Sequence, residues 1–152
     1  MSSLKRAETG VIVRAVDAGI IPPLSDYEAF WERRIPFLFL SAGRSRVYHT
    51  PEDTPDKLDY AKIDATARWL TRFVRASRTR EDSSFVDERL DRGTLDELSE
   101  VITALAALSP EAAAALEYVN RLRAACDRKG NLPEALRPDL CNVVGMLETR
   151  LQ

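Results

Sequence analysis

The chain has 152 residues, 30% of them charged and 45% hydrophobic, with a net charge of -2; this is an ordinary globular composition, long enough for one domain with a real core. The near-neutral balance gives no electrostatic reason to expect nucleic acid or an anionic membrane as partner, and no run approaches the roughly 18 apolar residues of a membrane span. Charged residues interrupt the opening MSSLKRAETGVIVRAVDAG, so no secretory signal is legible there and the chain as it stands reads as cytoplasmic.

In chain order, SLKRAETGVIVRAVDAG places Val11 or Ile12, then Ala15 and Val16, at helical spacing, with Gly19 as a C-terminal stop. After the loop IIPPLSD, Ser25 or Asp26 is placed to cap a short helix, YEAFWERR. The run IPFLFLSAG follows, bounded by Pro36 and Gly43. It is too short for an independent helix and reads as a strand buried on both faces, the kind found in parallel sheets covered by helices. Beyond a loop over 42–58, Asp59 caps YAKIDATARWLTRFVRAS, with Ile63, Ala67, Leu70 and Val74 along one face and Arg68, Arg72 and Arg75 turned outward. Helix, strand and helix with short connections predict an α/β layer.

Composition changes near residue 80. Basic residues outnumber acidic ones before it, and the reverse holds after it. The polar stretch SRTREDSSFVDERLDRG reads as a linker, with its core at 81–93. An all-helical extension of about three helices is expected over 94–152. Thr94 and Glu97 form a T-x-x-E capping box opening TLDELSEVITALAAL. Ser109 and Pro110 open SPEAAAALEYVNRLRAACDRKG, which is expected to stop at Gly130, and a last helix runs from about Pro133 to Leu151. Cys126 and Cys141 lack metal-site spacing and are poorly placed to bridge, so reduced, packed thiols are expected.

His49 is the only histidine. It lies in the loop after the expected strand, and functional residues of open α/β sheets gather in such loops. Pro51 and Pro55 restrict that loop, while Asp53, Thr54 and Asp56 can bond nearby backbone groups. A neutral imidazole is a good zinc ligand, and Asp53 is a candidate for the outer acceptor that orients it.

Over residues 25–70 several short patterns occur in a fixed order. They are S-D-x-x-x-F at Ser25, Asp26 and Phe30; a G/I-P-x-L-x-L run at Ile35–Leu40; Y-H-x-x-x-D-T at Tyr48, His49, Asp53 and Thr54; and D-K-L-D-Y leading into a helix. In this order they resemble the C-terminal part of the co-catalytic zinc aminopeptidases, a family that includes bacterial leucyl aminopeptidases and is related in fold to glutamate carboxypeptidase and glutaminyl cyclase. The resemblance covers roughly residues 10–78. It implies the C-terminal slice of an α/β/α zinc-peptidase domain over 1–80, a peptide substrate, zinc as cofactor, His49 as a metal ligand and Tyr48 as a donor to the reaction's oxyanion. Tyr27 departs from the family's frequent S-D-H.

The family's centre also needs a second histidine, a bridging aspartate, further carboxylates and a general-base glutamate. One imidazole cannot complete a two-zinc site, so a complete site and activity are not expected of this chain alone. The alternative reading is a non-catalytic helical module that binds a protein partner or self-associates through unburied apolar faces.

Overall fold

A computed structural model describes residues 10–20, 25–43, 45–78, 84–85 and 89–150. Its helices are α1 (Tyr27–Glu32), α2 (Tyr60–Ser77), α3 (Asp91–Ala106), α4 (Pro110–Ala125) and α5 (Arg137–Arg150). Short 3-10 turns occupy Ala18–Ile20, Pro55–Lys57 and Glu134–Leu136. No strand occurs among the described residues, so the fold is all-α, and the expected α/β layer is corrected.

The reason lies in the run Ile35–Leu40. A strand is held by ladder hydrogen bonds to a neighbour, and no described segment supplies a ladder here. The run instead returns beside α1. Its alternate rings, Phe37 and Phe39, meet Tyr27 at centroid distances of 5.4 and 4.9 Å, and Phe37 lies 5.9 Å from Trp31. Tyr27 and Trp31 are one helical turn apart, so a single face of α1 receives both. The turn between them is a Schellman motif. Arg34 adopts a φ of 53°, Ile35 N–H donates to Phe30 O at 2.9 Å, and Arg34 N–H donates to Trp31 O at 3.0 Å. Leu38 and Leu40 stay 44% and 38% exposed, contrary to a strand covered on both sides.

The helix expected to end at Gly19 is also absent over 10–17, while residues 1–9 lie outside the described residues. Gly10 has a φ of +80°, and consecutive β-branched residues at Val11, Ile12 and Val13 disfavour helix. Asp26 occupies the α1 N-cap position without a side-chain capping bond, so neither acceptor expected there caps through its side chain. Ser25 contributes only its carbonyl, which accepts from Glu28 N–H at 3.1 Å.

The chain divides into two compact units, Met1–Arg14 with Ser45–Phe85, and Ala15–Arg44 with Val86–Gln152. In the first, α2 starts where the sequence indicates, its Asp59 carboxylate accepting from Lys62 N–H at 2.9 Å. The buried face differs from the expected one. Ala65 and Trp69 are buried, with Phe73 stacked on Trp69 at 5.3 Å, whereas Ile63, Leu70 and Val74 are 49%, 37% and 50% exposed. Both stripes have helical spacing; the indole offers the larger area to bury, and no described sheet covers the aliphatic stripe.

The second unit is built on α3, α4 and α5, with α3 and α4 packed most extensively. Leu95, Ile102, Val119, Leu140 and Val143 are the fully enclosed side chains of its core, and Ile20 enters the same cluster from the 3-10 turn. Ser109 caps α4, accepting from Ala112 N–H at 3.3 Å, with Pro110 at the first helical position as expected. The helix ends at Ala125 rather than running on to Gly130. Gly130, at φ +88°, closes a turn in which Asp127 Oδ1 accepts from the amides of Lys129 and Asn131, both at 2.9 Å. Cys126 and Cys141 are free and half-buried, and burial pushes the Cys126 thiol up.

The start of α3 corrects the capping-box reading. The helix begins at Asp91, inside the segment read as linker, and Thr94 and Glu97 are buried within it. Its first turn is satisfied by remote groups: Asp17 Oδ2 accepts from Leu90 N–H at 3.1 Å, and Gly130 O accepts from Arg92 N–H at 3.0 Å. Asp91 is fully buried. Its Oδ2 accepts from Leu132 N–H at 2.9 Å and from Arg89 Nε–H at 3.0 Å. Arg89 also donates to Leu132 O at 2.8 Å and pairs with Glu134. The Asp91 carboxylate holds the Arg89 guanidinium above the usual arginine range.

Candidate functional site

The loop carrying His49 is tied to itself by short-range bonds. Tyr48 N–H donates to Ser45 O at 3.1 Å, and Val47 O accepts from both Thr50 N–H at 3.0 Å and Thr50 Oγ1–H at 2.7 Å. Thr50 O then accepts from Asp53 N–H at 3.1 Å. Thr54 Oγ1–H donates to Asp56 Oδ1 at 2.6 Å, and Thr54 O accepts from Lys57 N–H at 3.0 Å as the 3-10 turn Pro55–Lys57 begins. Threonines supply the side-chain part of these turns: Thr50 Oγ1 also accepts from Glu52 N–H at 3.3 Å, and Thr54 Oγ1–H approaches Glu52 O at 3.4 Å.

At the apex His49 has a φ of 60°, in the left-handed region that His, Asn and Asp enter more readily than other non-glycine residues. That conformation sets the imidazole edge-on to the Tyr48 ring, with centroids 4.1 Å apart and planes 70° apart. Both side chains are exposed, Tyr48 at 50%, so two polar aromatic groups sit together in water on one loop. Sequence patterning could place them next to each other but could not show the left-handed turn or the ring contact. No described hydrogen bond joins Asp53 to His49, so the expected orienting carboxylate is not brought to the ring. Asp56, another carboxylate of this loop, is engaged by Thr54. Tyr27, in the other compact unit, serves as a packing aromatic against Phe37 and Phe39.

The donors among the described residues do not fit a zinc pair. Among the described residues no three His, Cys, Asp or Glu side chains come close enough to share a metal ion. A structural zinc takes four protein ligands and a catalytic one about three, so one exposed imidazole is far short. No chemical step through a metal is assigned to these residues.

Residues 3–74 match the model of peptidase family M28. The match supports placing that segment in the M28 peptidases, and it encloses Tyr48 and His49 as well as α1 and α2. At family level the likeness is to metallopeptidases, a family that is generally zinc-dependent. No curated protein and no solved structure matches the chain. The M28 segment is shared between the two compact units, with residues 15–44 in the helical one. No helix among the described residues is long and apolar enough to cross a membrane.

Proposed function

We propose that the M28 segment supplies one wall of a zinc-dependent aminopeptidase-type centre, which hydrolyses the N-terminal peptide bond of a peptide. The order of its motifs favours the leucyl aminopeptidase-like members of the family. In this reading His49 contributes one metal-binding imidazole. Tyr48 offers its phenol hydrogen to the oxyanion that develops when the scissile carbonyl is attacked, a contact that favours the transition state over the bound substrate. The observation that carries the reading is the M28 match enclosing an exposed Tyr48–His49 pair set edge to face on a self-tied loop.

In this reading the second imidazole is not supplied by this sequence, which has one histidine, and the general-base glutamate is not assigned to any of its residues either. The 152 residues alone are therefore inactive. Incubating the purified chain with an aminoacyl anilide and added zinc is expected to release no product above buffer. Chelator-sensitive turnover by that preparation would overturn the proposal. Zinc titration by calorimetry is expected to show weak binding of one ion at most, removed by His49→Ala. Two tightly bound ions indifferent to that substitution would also defeat it.

A further inference from the structure

Helix α2 carries two apolar stripes, one buried at Ala65 and Trp69 and one exposed along its whole length. Tyr60, Ile63, Ala67, Leu70, Val74 and Ser77 follow one another at alternating steps of three and four residues, and all six are exposed. That alternation is the a/d repeat of a coiled coil. The stripe is one seam wide, because Asp64, Thr66 and Thr71 border it. A helix laid on a globular core or a sheet turns a broader apolar face inward, so the shape of this stripe suits a single second helix.

The stripe is complementary to itself when reversed. In an antiparallel pair with the two-fold axis between Ala67 and Leu70, Ile63 meets Val74 of the second copy, Ala67 meets Leu70 and Tyr60 meets Ser77. The small Ala67 leaves room for the larger Leu70, and the polar ends fall at the rim.

Charge selects the same orientation. Asp64 and Arg78 flank the stripe on one side, near opposite ends of the helix. In the antiparallel pair Asp64 lies level with residue 73 of the second copy. Arg78 of that copy is about 7 Å further along, at about 1.5 Å per residue, and leans back towards Asp64, because helical side chains point to their own N-terminus. Asp64 pairs with Arg68 of its own helix through Oδ2, and a carboxylate can accept from two arginines. A parallel pair would instead set Asp59 beside Asp64 of the second copy and bring the positive ends of the two helices together.

We propose that the Tyr60–Ser77 face of α2 is a self-association surface, on which α2 of a second copy of this chain lies antiparallel. At 18 residues the helix is about 27 Å long. The seam alone is smaller than a standard interface of about 1,600 Å², so the dimer is weak and reversible. The pairing needs no metal and does not depend on the peptidase reading.

Sedimentation equilibrium of the whole chain tests this over about 1 μM to 1 mM. The wild-type chain is expected to pass from monomer to dimer within that range, and a monomer throughout would overturn the proposal. Leu70→Glu and Val74→Glu, both at exposed positions, are each expected to raise the dissociation constant at least about tenfold with unchanged helix content by circular dichroism. Leu108→Glu, at a position 80% exposed in the other unit, is expected to change nothing. A dimer indifferent to both α2 variants, or equally weakened at Leu108, would place the contact elsewhere and defeat the proposal. Asp64→Arg and Arg78→Asp should each weaken the dimer, and the double variant should recover it. Failure of the double variant to recover would overturn the antiparallel arrangement.

Discussion

The Asp17 amide and the Thr94 hydroxyl, 77 positions apart, meet at 2.9 Å in the interior of the helical unit. Thr94 therefore acts as a buried acceptor for a distant backbone group and does not cap its own helix. Thr94→Val keeps the shape and leaves a buried amide without a partner, at a cost of about 1–3 kcal/mol. Thr94→Ser should retain most of the stability. Urea unfolding midpoints of the two variants check this, and equal midpoints would show that the hydroxyl is dispensable.

Asp59 caps α2 through its own side chain. Asp59→Ala is expected to cost about 1 kcal/mol, and Asp59→Ser or Asp59→Asn much less, because either replacement still presents an acceptor to Lys62 N–H. Thermal melts followed by circular dichroism would rank the three. Alanine matching serine would contradict the cap.

His49 holds a φ of 60°. His49→Gly should leave stability unchanged or slightly improved, since glycine enters that region freely. His49→Val should be less stable than His49→Gly by about 1–2 kcal/mol, the penalty a Cβ pays against the carbonyl in the left-handed conformation. If valine and glycine melt alike, the loop does not hold this turn in solution.

Backbone amides hold the Asp127 carboxyl below its ordinary 3.8, Asn131 N–H contributing most. A carboxylate with a depressed folded value adds stability that is fully present above the ordinary value and lost as pH falls through the lower one. The wild-type chain should thus melt above Asp127→Asn at pH 6, and the gap should shrink as pH drops below about 4. A gap constant from pH 6 to pH 3 would show that the turn does not depend on the charge.

Local chemistry decided what could be read from the residues alone. The helices from Asp59 and Ser109 start where their side chains bond an amide three positions on, the last helix falls near its expected span, and the metallopeptidase resemblance read over 25–70 lies within the M28 match over 3–74. Each of these needs only a few neighbouring residues or the linear order of types. The tertiary structure decided everything that depends on a remote partner. Ile35–Leu40 has a strand's composition, but strands exist through ladders, and without one the run lies against Tyr27 and Trp31. The start of α3 at Asp91 depends on groups at Asp17 and Gly130, and the buried face of α2 on which of two equally periodic stripes finds cover. Periodicity records which residues can be buried together; only the folded chain settles what buries them, because that free energy comes from contacts between segments far apart in sequence.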